Sequence, residues 1–261
     1  MSEPEPSVNP DAAGPDEPGK MSFFDHLTEL RTRIVWSLVP AGIGLGIALY
    51  FTSNVVRLLS RHLETELVFT TPTEAFWTYM KVAMIMGLFI AMPIILWNVW
   101  AFVAPGLHKH ERKYAAPFVI IGSLLFIAGG AFALFVVVPF AITFLVSFGQ
   151  DQGLRPMITI SSYIGFILKF TLAFGVVFEM PVVITLLAML GVVTPQFLSK
   201  NRKYAVLINF VIAAILTPTP DLVNQSLMAG PLIILYEVGI ICARVFGRKK
   251  PKAAVTEEAA K

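Results

Sequence analysis

Six long stretches of this 261-residue chain are almost free of charge, and its basic residues gather on alternate sides of them. The stretches fall near Ile34–Phe51, Val82–Leu107, Ala115–Phe148, Ser162–Leu190, Tyr204–Leu216 and Leu227–Ala243, the fourth interrupted by Lys169 and Glu179. A hydrocarbon core of ~30 Å takes about 20 apolar residues as a helix, so most of these runs are long enough to cross one. Continuous segments inside lipid satisfy their backbone groups only as helices. The sequence therefore predicts an all-α integral membrane protein with six transmembrane helices. Composition agrees, with 56% hydrophobic and 14% charged residues against roughly 45–50% and 25% in soluble domains.

Fifteen of the twenty Lys and Arg residues lie in segments on one side of the spans. These are Lys20, Arg31 and Arg33; Lys109, Arg112 and Lys113; Lys200, Arg202 and Lys203; and the six from Arg244 to Lys261. The intervening loops hold only Arg57, Arg61 and Arg155. An excess of basic residues marks the cytoplasmic side, which predicts that both termini are cytoplasmic. The net charge of +3 is accounted for by this topological bias, and no nucleic-acid partner is expected.

Residues 1–20, rich in Pro, Glu and Asp, read as a disordered acidic tail and not as a cleaved leader, which needs a basic start and an apolar centre. Residues 247–261 read as a second disordered tail, basic and then Ala/Glu-rich, leaving residues 21–246 for the membrane domain. Ser22 with Asp25 resembles a helix cap, and Phe23, Leu27, Leu30 and Ile34 share one helical face, so an amphipathic turn should run into the first span. The outer loops near Thr52–Glu74 and Pro139–Ser161 carry helical patterns expected to fold back as short helices. Thr194 before Pro195 marks a helix start. The last two spans look short at 13 and 17 residues, with a tight outer turn at Thr217-Pro218-Thr219-Pro220-Asp221 between them. Short spans thin a bilayer locally.

Several motifs carry no chemistry. Gly14-x-x-x-x-Gly19-Lys20 lacks the Ser/Thr of a phosphate-binding loop, encloses acidic residues and follows no strand. His108 and His110 would point to nearly opposite sides of a helix, so no metal site is expected. Cys242 is the single cysteine and reads as a small apolar filler. Gly42 and Gly46 form a small-x-x-x-small pair that permits close helix packing. Asn224-Gln225-Ser226 abuts a span and reads as a chance glycosylation pattern. Neither a nucleophile–base arrangement nor a cofactor motif stands out, so the chain does not read as an enzyme.

The carboxylates are more telling. Glu179 lies deep in the fourth span beside Pro181, where an ionisable group costs about 2.5–3.5 kcal/mol and usually faces a polar interior. Pro181 should kink the helix there. The plain alternative is a structural glutamate, protonated or paired with Lys81 or Lys169. Glu237 reads as one half of an interfacial pair with a neighbouring helix. Glu29 stands four residues before Arg33, the favourable order for a helix ion pair. Glu111 lies among His108, Lys109, His110, Arg112 and Lys113, and both Glu29 and Glu111 fall at the basic ends of spans.

The segments Phe24-Asp25-His26-Leu27-Thr28-Glu29-Leu30-Arg31-Thr32-Arg33 and Trp100-Ala101-Phe102-Val103-Ala104-Pro105-Gly106-Leu107-His108-Lys109-His110-Glu111-Arg112 closely resemble the TatC family, the polytopic subunit of the twin-arginine protein translocase. So do Thr71-Pro72-Thr73-Glu74-Ala75-Phe76, the stretch Phe174–Pro181, and Leu216-Thr217-Pro218-Thr219-Pro220-Asp221. The likeness runs in order from about Ser22 to Arg248. It implies a six-span, glove-shaped receptor in the inner (plasma) membrane, with cytoplasmic termini. Such a protein would recognise twin-arginine signal peptides of folded cargo and assemble with TatA/TatB-type single-span subunits and with further copies of itself. It would draw on the proton-motive force. By the same resemblance, Glu29 and Glu111 receive the arginine pair beside Phe102. Glu179 is the intramembrane polar site on the concave face, and Thr217 and Gln225 form a patch where a partner's transmembrane helix docks. Thr219 departs from the pattern as an insertion between two prolines, which makes Gln225 the less secure of the two. The competing reading is a proton-coupled small-solute transporter using Glu179, and a third is a membrane scaffold.

Overall fold

The computed structural model describes residues 23–60, 67–107, 112–217 and 222–247. Both predicted tails, Ser22, His108, His110, Glu111 and the turn at 218–221 lie outside the described residues, as do the side chains of Asp25 and Asn224. Among the described residues the regular structure is helical, apart from one isolated parallel bridge between Val68 and Thr159.

Helix α1 (Phe23–Ser60) is a single 38-residue rod, ~57 Å long at 1.5 Å per residue. The expected amphipathic turn, the first span and the helical pattern of the first outer loop are therefore one element. The separate short helix expected after Thr52 is not there. Val55, Val56 and Leu59 continue the period of α1 and pack into the core, and no Gly or Pro interrupts the helix after Gly46. Helix α2 (Pro72–Val103) begins after extended Thr71 with proline in its first turn, where the missing N–H costs nothing.

Helices α1 and α2 cross at two facing glycines. A Cβ on Gly44 would lie 2.5 Å from the Gly87 carbonyl oxygen, and one on Gly87 would lie 2.6 Å from the Leu45 nitrogen. The pair singled out from sequence, Gly42 and Gly46, instead has nothing within 4 Å. Spacing shows that a helix has a small-residue face, but the helix's rotation decides which face meets a neighbour.

Helix α3 (Ala115–Phe132) continues through a π turn (Ala133–Val137) into α4 (Val138–Asp151). The helix expected after Pro139 is present, reached without the chain reversing. Pro139 falls in the first turn of α4, and the wider π turn before it accommodates the proline's clash with the carbonyl four residues back. Helix α5 (Ile160–Phe178) and α6 (Met180–Met189) meet at Glu179, where the Pro181 kink is expected. In α7 (Pro195–Lys200) the Thr194 hydroxyl accepts from Phe197 N–H at 3.2 Å, the predicted cap.

Helix α8 (Arg202–Leu216) has 15 residues, ~22 Å, too short for a full hydrocarbon core. Helix α9 (Leu222–Phe246) has 25 residues, ~37 Å, so only the fifth of the expected spans is short. The sixth run looked short because its helix continues past the apolar stretch at both ends, from Leu222 to Phe246.

The main core gathers Phe170, Phe174, Ile164 and Val82 with Met228 and Leu232, joining α2, α5 and α9. One end of it is latched by Glu74. One carboxylate oxygen accepts from Thr70 N–H at 2.7 Å and Thr70 Oγ1 at 2.9 Å, and the other accepts from Ser161 N–H at 3.1 Å. Beside it, Ile160 N–H donates to Val68 O at 2.9 Å. A single carboxylate thus ties the first turn of α2 to that of α5. Glu74→Ala should lower the melting temperature in detergent and speed amide exchange at Ile160 and Ser161. Unchanged protection there would show that the bridge holds without it.

Candidate functional site

The first turns of α1 place His26, Glu29 and Arg33 on one stripe, at spacings of three and four residues. The stripe faces the last turns of α2. There the Phe102 ring stacks on His26, with centroids 4.3 Å apart and planes 14° from parallel. Asn98, one turn before Phe102, shares an open groove of about 630 Å³ with Glu29. Trp36, Ile94 and Trp97 supply its apolar walls, and Thr28, Thr32 and Arg33 add polar groups.

Glu29 is half used. Its Oε1 accepts from Arg33 Nη2 at 3.3 Å, the helix pair expected from the spacing, while its Oε2 is buried with no hydrogen-bond partner among the described residues. A buried carboxylate oxygen without a donor is costly, and a charge-assisted bond from an entering cation would remove that cost. The neighbouring aromatic faces suit a planar cation. Glu29 and Phe102 are thus brought to one end of the α1–α2 pair. His26 was not singled out from sequence, although its position three residues before Glu29 in the same motif was the available signal.

Glu111 lies outside the described residues. The chain leaves the described structure at Leu107, buried against Trp100, Leu186 and Met189, and returns at Arg112. The segment bearing Glu111 therefore starts from the end of α2 that carries Phe102.

Glu179 is 7% exposed, and neither carboxylate oxygen has a hydrogen-bond partner among the described residues. It packs against α3, where a Cβ on Gly122 would lie 3.1 Å from its Oε2 and 2.7 Å from Leu96 Cδ1. The absence of a side chain at Gly122 makes room for the carboxyl. Lys81 and Lys169, the candidate partners, are exposed and make no ion pair with it.

Thr217 and Gln225 both lie on the seam of α8 and α9. Thr217 Oγ1 donates to Ala213 O and lies 3.4 Å from Met228 Sδ, and Gln225 Nε2 donates to Phe210 O at 3.1 Å. Toward the basic end, Arg202 pairs with Glu237 at 2.7 Å, the interfacial pair expected for Glu237. Tyr236 donates to Leu198 O at 3.0 Å, and Arg244 to Ser199 Oγ at 3.1 Å. Among the described residues no group of three His, Cys, Asp or Glu side chains converges to hold a metal.

The family model of the Sec-independent protein translocase protein TatC matches residues 25–231. The chain is 47% identical to the TatC protein of Carboxydothermus hydrogenoformans, over 89% of this chain and 95% of that one. It is 41% identical to that of Koribacter versatilis, over 92% and 91%. Its fold matches a crystal structure of a twin-arginine translocase receptor TatC with a TM-score of 0.72 and 41% identity, covering 85% of this chain and all of that one (100%).

Proposed function

The chain belongs to the TatC family of Sec-independent protein translocase proteins, and from that premise we propose that it is the translocase subunit that receives twin-arginine signal peptides. It is a multi-pass membrane protein and a transport component, not an enzyme. On this reading it is a six-span, concave receptor in the inner membrane with both termini cytoplasmic. It gathers TatA/TatB-type single-span subunits and further copies of itself, and transport draws on the proton-motive force. Glu29 and Glu111 hold the two guanidinium groups beside Phe102. A partner's transmembrane helix docks along the Thr217–Gln225 seam.

The observation that carries the reading is the unpartnered oxygen of Glu29 inside a groove walled by tryptophans and flanked by the His26–Phe102 stack. A guanidinium offers a planar fork to a two-oxygen acceptor, which an ammonium does not. A photo-cross-linker at Thr28 or Thr32, both exposed on the groove, should capture a leader peptide with paired arginines and not its paired-lysine counterpart. Equal capture of both peptides would remove the assignment.

Glu179 serves the same protein in a separate place, as the polar group of the membrane interior. Its burial against Gly122 favours the receptor over the proton-coupled solute transporter, which requires an open solute path to that carboxyl. Glu179→Gln keeps the shape and removes the charge. It should leave the melting temperature unchanged while lowering export. Undiminished export would show that an ionisable group is not needed there.

A further inference from the structure

At the end of the molecule opposite the basic clusters, α4 and the start of α5 leave an open groove of about 380 Å³. Its walls are apolar, from Ile142, Leu145, Val146 and Phe166, and Gly149 in its lining has open space where a Cβ would be. The polar groups nearby are mostly committed. Tyr163 donates to Leu59 O at 3.1 Å, and Ser162 Oγ accepts from Thr159 Oγ1 at 2.9 Å. The first N–H groups of α5 are taken by Val68, Glu74 and Thr159. Arg155 is different: it lines the groove, is exposed, and makes no hydrogen bond or ion pair with any described residue. Among the described residues no carboxylate lines the groove, and the nearest in sequence, Asp151, is exposed.

The turn that presents Arg155 is built for that purpose by Gly153, whose φ of +77° is a left-handed conformation that a side chain would strain. Gly153 N–H donates to Gln150 O at 2.8 Å and Leu154 N–H to Gly149 O at 3.1 Å, closing α4 and returning the chain across its end. On either side of Arg155 stand Leu154, 66% exposed, and Met157, 85% exposed. Phe148, on the last turns of α4, is 61% exposed. In a membrane protein, a cluster of large exposed apolar side chains around one arginine belongs at the boundary of hydrocarbon and headgroups, with the aliphatic stem in the apolar layer and the guanidinium at phosphate level.

We propose that this groove binds one anionic glycerophospholipid, an acyl chain lying between α4 and α5 and the phosphate held by Arg155. The apolar walls fit the chain. Arg155 is the one cation among the described lining residues, and no described carboxylate lines the groove to offset a choline or ethanolamine, so it selects a headgroup that is anionic overall.

The test is native mass spectrometry of the full-length protein released from detergent containing phosphatidylglycerol and phosphatidylcholine in equal amounts. The wild type should retain one phosphatidylglycerol preferentially. Arg155→Gln should lose that preference by roughly tenfold, the size of one charge-assisted hydrogen bond, and Arg155→Lys should keep part of it. Gly149→Phe, which fills the open space, should displace both lipids while leaving the melting temperature in detergent alone unchanged. Equal retention of phosphatidylglycerol by wild type and Arg155→Gln would overturn the proposal. So would an adduct with inorganic phosphate alone, or a dimer of the chain that Gly149→Phe abolishes.

Discussion

Replacing Glu29 and Glu111 together with alanine should reduce binding of a twin-arginine peptide by more than either change alone, to the point where specific binding is no longer measurable. Removing one charge-assisted hydrogen bond costs about 1.5–3 kcal/mol, or roughly ten- to a hundred-fold in affinity. The Glu29 change adds a second penalty. It removes the oxygen that accepts from Arg33 at 3.3 Å, leaving an uncompensated guanidinium in the groove to repel the incoming pair. Glu29→Gln separates the two effects, because it keeps a hydrogen-bond acceptor for Arg33 while removing the negative charge. It should lie between wild type and Glu29→Ala. Titration of the full-length protein in detergent with a fluorescent leader peptide measures all of this, with a paired-lysine peptide as the reference. Wild-type affinity in the double variant would end the assignment of both carboxylates.

The largest effect on the fold is expected at Gly87. Even alanine there would put a Cβ 2.6 Å from the Leu45 nitrogen and 2.8 Å from its Cα, against backbone that has no rotamer with which to yield. Relieving such a clash means moving α1 and α2 apart, and overpacking of this kind costs typically about 1–3 kcal/mol. Gly87→Ala should therefore lower the melting temperature in detergent markedly, and Gly87→Leu should abolish the folded protein. Gly42→Ala and Gly46→Ala, with open space at both positions, should be neutral. A further consequence connects packing to function. The groove holding Glu29 is built between the same two helices, so Gly87→Ala should also weaken leader binding without touching any residue of the site. If Gly46→Ala destabilised the protein more than Gly87→Ala, this account of the α1–α2 crossing would fail.

Much of the fold was legible because its signals are local. The Thr194–Pro195 start of α7, the break of α5 at Glu179 and the shortness of α8 all follow from residues adjacent in sequence, and all are present. The two errors in helix extent share one origin. The separate helix expected after Thr52 and the short sixth span both came from reading the end of an apolar run as the end of a helix. A helix can run on past its apolar stretch while its backbone still finds partners, as α1 does to Ser60 and α9 to Phe246. The site was legible to the same degree. Glu29 stood out by its motif and its spacing from Arg33, and Phe102 by its own motif. That His26 stacks on Phe102 depends on a meeting of two helices whose residues are distant in the chain.

Sequence alone determined that this chain is helical and membrane-embedded, and it marked which carboxylates lie near the ends of spans. Hydropathy, charge and turn chemistry act on neighbouring residues and survive reading in one dimension. Only the tertiary structure decided that Gly44 and not Gly42 faces α2, that Glu179 finds Gly122 and not a lysine, and that one oxygen of Glu29 is left without a partner among the described residues. Each depends on the rotation of one helix about its axis against another. That rotation is set by the sum of many small packing energies, and no single residue announces it.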